Sequence, residues 1–118
     1  MSADRKWLEQ SLRTSLEALA MPGAQALRTL QDDVAKADEL ALGFDNFHRA
    51  FVGTFASEML PAQVAALRKI DTLLDEMSGE HLAVLWTDEA VRSHECWGAV
   101  RAAARDALKE MKWAVPAA

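Results

Sequence analysis

The chain has 118 residues, 51% of them apolar and 26% charged, with a formal net charge of −5. That length suits one domain with a self-sufficient core, read here as residues 1–118, and the apolar content excludes a disordered chain. The negative charge argues against a nucleic-acid binder, which needs a clustered positive field to displace counterions.

The single cysteine, Cys96, excludes an intramolecular disulfide and fits a reducing compartment. The polar start Met1-Ser2-Ala3-Asp4-Arg5-Lys6 does not read as a signal peptide, and no apolar run approaches the ~20 residues of a membrane span. A cytoplasmic protein with no membrane partner is the expectation. Abundant Ala, Leu, Arg, Glu and Asp, with no Tyr and three Pro, favour helix over sheet. The expected fold class is all-α, an antiparallel bundle of four to five helices.

The first helix is predicted from about Asp4 to Ala20, with Leu8, Leu12, Leu16 and Leu19 as its apolar stripe. Trp7 lies off that stripe, near Ser11 and Ala18 on another face. Met21-Pro22-Gly23 breaks the helix. Next comes the most regular stretch of the chain. Leu27, Leu30, Val34, Ala37, Ala41, Phe44, His48, Phe51 and Phe55 alternate steps of three and four, as a heptad seam does. Read literally, residues 24–60 form one helix on the order of 54 Å long at 1.5 Å per residue. Gly43 is the expected kink or break. An unbroken helix of that length leaves part of its seam without an intrachain partner, and a homodimer would cover it.

Pro61 opens another helix that runs to about Met77 along Val64, Leu67, Ile70, Leu74 and Met77, ended by Ser78-Gly79. Glu80 to Trp86 is a short apolar run that period alone cannot type, either helix or extended connector. Thr87-Asp88-Glu89 is a helix start, with a hydroxyl cap and acids in the first turn. From it a helix is predicted to about Trp113, burying Ala90, Trp97, Val100, Ala104, Leu108, Met111 and Val115.

Candidate chemistry is sparse. The three histidines, His48, His81 and His94, lack the paired Glu-x-x-His spacing by which bundles hold metals, so no metal or cofactor is expected. His48 falls on the Phe seam and reads as a core or interface residue. Cys96, placed more than two turns into the last predicted helix, lies beyond the reach of its dipole and reads as a small hydrophobe. No Gly-rich phosphate loop, nucleophile elbow or zinc spacing occurs. These spacings point away from an enzyme.

The segment His94-Glu95-Cys96-Trp97-Gly98 resembles the histidine phosphotransfer domains, four-helix bundles of about this size. The resemblance covers five residues. It implies an exposed helical His94 that accepts a phosphoryl group, with Gly98 leaving room for a response regulator. The family places Lys directly before that Gly; here Trp97 stands there, which removes a cation and adds bulk.

Trp7 and Trp113, both off their helices' stripes, are the remaining signal, because Trp is enriched at interface hot spots. They either cover each other or meet a partner. Arg101, Arg105, Lys109 and Lys112 form a basic flank on the last helix. The expected function is a non-catalytic helical protein-interaction module of regulator, adaptor or inhibitor and immunity type, self-associating as a homodimer. Its interface candidates are Trp7, Trp113, His48, Phe51, Arg101, Arg105 and Lys109. Two other readings stand beside it: a phosphotransfer-like protein using His94, and a binder of a small apolar ligand beside Phe47 and Phe51.

Overall fold

The computed structural model describes residues 2–30 and 35–117, and the fold is an all-α bundle. Four long helices carry it: α1 (Ser2–Ala20), α3 (Lys36–Phe55), α4 (Pro61–Glu76) and α6 (Glu95–Glu110). Two helices of six residues, α2 (Gly23–Arg28) and α5 (Asp88–Ser93), and two 3-10 turns at Ala56–Glu58 and Glu80–Trp86 connect them. The ambiguous run Glu80–Trp86 is therefore 3-10 helix.

Helix α1 packs along both α3 and α6, and α6 packs along both α1 and α4; α3 and α4 share a much smaller contact. Side-chain bonds fix the directions. Arg5 near the start of α1 pairs with Glu58 just beyond α3 at 2.9 Å, and its guanidinium lies 4.7 Å from the centre of the Phe55 ring. Gln63 at the start of α4 accepts from the Leu60 N–H and donates to the Glu110 carbonyl at the end of α6. Arg101 in the first half of α6 donates to the Met21 carbonyl beyond the end of α1. Each packed pair is thus antiparallel.

The core is built from the apolar stripes: Leu12 and Leu16 of α1, Phe44 of α3, Leu67 and Ile70 of α4, and Val100 and Leu108 of α6 are fully buried. Each such side chain contributes roughly 1.5–3 kcal/mol on leaving water.

Two expected helices are each divided. The seam over residues 24–60 does not break at Gly43; α3 runs through it from Lys36 to Phe55, while α2 already ends at Arg28. The Thr29 hydroxyl donates to the Ala26 carbonyl at 2.6 Å and helps end α2 there. Leu40 and Phe44, both buried, hold the α3 ladder across Gly43. The seam itself faces inward, with Leu27, Ala37, Phe44 and Phe51 buried and Leu30, Ala41, His48 and Phe55 half-buried; Val34 lies outside the described residues. A long unpartnered seam therefore gives no reason for a dimer.

The helix expected from Thr87 to Trp113 breaks at His94, whose backbone is extended (ψ 139°). The two halves serve different neighbours, since α5 packs on α2 while α6 packs between α1 and α4. The Trp97 indole N–H donates to the buried Leu85 carbonyl at 2.6 Å, and its ring meets Trp86 edge-on at 5.5 Å. Helix α6 stops at Glu110 in a Schellman arrangement, with Trp113 N–H bonded to Leu108 and Lys112 N–H to Lys109. Lys112 takes the left-handed position that glycine usually fills (φ 62°).

Candidate functional site

The surface features that can do something lie along the two flanks of α3. On one flank a cleft of about 510 Å³ runs between α1 and α3. Its apolar walls are Ala18, Met21, Leu40 and Phe47, and Gly43 opens its floor, with no atom of a neighbouring element within 4 Å of where a Cβ would stand. Trp7 forms its rim. The indole is 61% exposed, although one edge rests on Phe47 in a T-shaped contact at 5.6 Å.

On the other flank, α3 and α4 splay apart around a groove of about 680 Å³. Ala41, Leu74 and Trp86 give it an apolar floor, and Leu42, 52% exposed, stands on its wall. The Trp86 indole N–H is bonded to the Met77 carbonyl at 2.8 Å, which fixes that ring in place. Four carboxylates edge this groove: Asp38 and Asp45 from α3, Asp71 and Asp75 from α4. One guanidinium, Arg49, lies among them, held on Asp45 at 2.9 Å one helical turn away.

His48 sits half-buried on the same side of α3, its ring stacked on Phe44 at 5.0 Å and 18°. Its Nδ1 is buried without a hydrogen-bond partner. Burial pushes the imidazole below its ordinary range, against the opposing pull of Asp71 and Asp45, so the ring is held towards its neutral form. Among the described residues, no three His, Cys, Asp or Glu side chains gather as metal ligands do.

The other candidates are scattered. Phe51 is buried in the core, its ring tilted against Phe55 at 5.1 Å and 58°, so it offers no face to a partner. Trp113 is half-buried against the core beyond α6, while the ring contact of Trp7 is with Phe47; no ring contact joins the two tryptophans that were expected either to cover each other or to meet a partner. Arg101 and Arg105 are committed within the chain. Arg101 binds the Met21 carbonyl, and Arg105 binds those of Ala20 and Pro116. They close the C-terminal end of α1, where orphan carbonyls and the negative end of the dipole call for cations. Lys109 remains exposed on α6.

His94 caps α6 instead of projecting from a helix face: its Nδ1 accepts from the Cys96 N–H at 3.0 Å. Cys96 consequently stands in the first turn of α6, not two turns inside a helix, and is half-buried. Trp97, in the position where phosphotransfer domains carry a lysine, is buried.

Sequence reasoning missed the groove between α3 and α4. Its one local signal was Leu42, an apolar residue off the Phe44–Phe51 stripe, four residues after Asp38 and three before Asp45. The chain was also compared with known proteins; it matches no family model, no curated protein and no solved structure. Among the described residues no helix is long and apolar enough to cross a membrane.

Proposed function

We propose that the protein is a helical interaction module that pairs with a second copy of itself through the α1/α3 face. The exposed Trp7 beside an apolar cleft carries this reading. A two-fold interface uses the same patch on both subunits, so the patch must complement itself. This face holds both an apolar knob, Trp7, and an apolar hole above Gly43. Trp is also, with Tyr and Arg, among the side chains enriched where a few residues dominate binding.

Light scattering over a wide concentration range tests the pairing. The wild type is expected to dimerise and Trp7→Ser to remain monomeric with its helicity intact. A wild type that stays monomeric up to millimolar concentration would remove the reading. The cleft volume, about 510 Å³, also lies within the range of small-molecule sites. A bound apolar ligand is the second reading, and native mass spectrometry of the protein as purified from cells tests it: a small-molecule adduct lost in Gly43→Leu supports it.

A further inference from the structure

We infer that the groove between α3 and α4 is a docking site for a cationic amphipathic helix of another protein. This surface is separate from the Trp7 face, so the inference goes beyond the self-pairing reading and does not depend on it.

Shape and charge agree on the occupant. The floor of Ala41, Leu74 and Trp86 and the exposed Leu42 call for apolar side chains. Carboxylates stand on both banks, and among the described residues Asp45 alone of the four is held in an ion pair. Among the described residues, Asp38, Asp71 and Asp75 line the groove with no ion pair of their own, and Asp71 feels the more distant charge of Arg49. A fatty ligand would leave these carboxylates unanswered, and an acidic or nucleic-acid partner would be repelled. A helix with an apolar stripe flanked by Lys or Arg answers both demands, by the helix-in-groove mode of recognition.

The banks also set its length. Asp38 and Asp45 lie seven residues apart on α3, about 10 Å along the axis, so two to three turns of helix span the charged stretch. The charges steer the encounter and select the sign of the partner, while the apolar trough supplies most of the affinity.

The test uses a fluorescein-labelled 14-residue peptide of Leu and Lys, with Leu at helical i, i+3, i+4 and i+7 spacing. One control has the same composition in shuffled order, and another carries Glu in place of Lys. Fluorescence anisotropy reads the affinity, and amide chemical shifts in the full-length protein locate it. Wild type is expected to bind the amphipathic Lys peptide at least tenfold more tightly than either control. The largest shifts are expected in residues 38–45 and 71–86.

The triple change Asp38→Asn, Asp71→Asn, Asp75→Asn should weaken that binding at least tenfold and flatten its salt dependence. Because Asp38 and Asp75 are exposed, the double change Asp38→Lys, Asp75→Lys keeps the fold and should transfer preference to the Glu peptide. Binding that is equal for the shuffled peptide, unchanged in the Asn variant, absent altogether, or mapped to another face would overturn the proposal. So would competition between the peptide and self-association, which would make a second copy the occupant. Repeating the titration in Trp7→Ser separates the two readings: peptide binding should survive there even when dimerisation does not.

Discussion

Helices α3 and α6 are both long, both amphipathic and both central, yet one is sealed and the other is open. Helix α6 presents Ala103, Ala104 and Ala107 along its buried face, and α1 and α4 close on both of its sides. Interaxial distance follows the size of the side chains at the contact, so a small-residue stripe draws neighbours in. Helix α3 presents Phe44, Phe47 and Phe51 instead, and its flanks carry Asp38, Asp45, Leu42 and Gly43, which its neighbours do not cover. Polar links follow the same division. Helix α6 spends Trp97, Arg101 and Arg105 on backbone carbonyls of the segments beside it, whereas α3 leaves its carboxylates at a groove edge. Stability is concentrated around α6, and surface available for binding is concentrated around α3.

Two glycines set a closed contact, α2 against α5, beside the open flank of α3. A Cβ on Gly23 of α2 would overlap the Val91 carbonyl oxygen and stand 2.8 Å from the Arg92 Cα, both backbone atoms of α5 that have no room to yield. Gly23→Ala is expected to cost about 3 kcal/mol, the upper end of overpacking. Gly43→Ala adds the same methyl into open space in the middle of α3 and is expected to stabilise by about 0.5–1 kcal/mol through helix propensity. Urea unfolding measures both; equal effects would mean that the α2–α5 contact is not closed at Gly23 or that the flank of α3 is not open at Gly43. A second contrast uses one residue type. Trp97→Phe removes the donor to the buried Leu85 carbonyl and should cost about 2 kcal/mol, the penalty of a stranded acceptor plus lost packing. Trp7→Phe, at an exposed rim, should change monomer stability by less than about 0.5 kcal/mol.

The sealed half was far more legible in the sequence than the open half. Leu12, Leu16, Leu67, Ile70, Val100 and Leu108 announce their burial by spacing alone, and Pro61 marks the start of α4 to the residue. The breaks were harder, because propensity pointed to Gly43 while tertiary packing divides the chain before Lys36 and at His94. Histidine is an uncommon helix cap, so nothing local advertised that second break. Arg101 read as part of a free flank because its acceptor is a carbonyl 80 residues away, and carbonyls leave no mark in a sequence. The acidic groove was hidden for a related reason. Asp38 and Asp45 come to stand across a groove from Asp71 and Asp75 only once α3 and α4 are known to be neighbours.

The smallest expected effect probes the boundary between the two halves, where His48 lies beneath the open seam with its Nδ1 unpartnered. Burial holds its pKa below the ordinary histidine value, while Asp45 on α3 and Asp71 on α4 pull upward and Arg49 and Arg68 push down. The unfolded chain therefore takes up a proton at higher pH than the folded one does. Well above the ordinary histidine pKa of about 6.5, where the imidazole is neutral in both states, His48 leaves stability unchanged with pH. As pH falls below that value the unfolded state gains protons first, and stability declines until the folded imidazole protonates as well. Melting temperatures of wild type and His48→Phe, taken from pH 7.5 down to 5, should diverge in that interval and run parallel above it. The variant keeps the stacked ring on Phe44 and should lose less stability on acidification. Hydrogen exchange should place the added opening of wild type in α3 and α4 with α6 unaffected, because the charge would arise beside the groove where α3 and α4 are not closed on each other. Uniform loss across all four long helices would instead mean that the open flank of α3 unfolds only with the rest of the molecule.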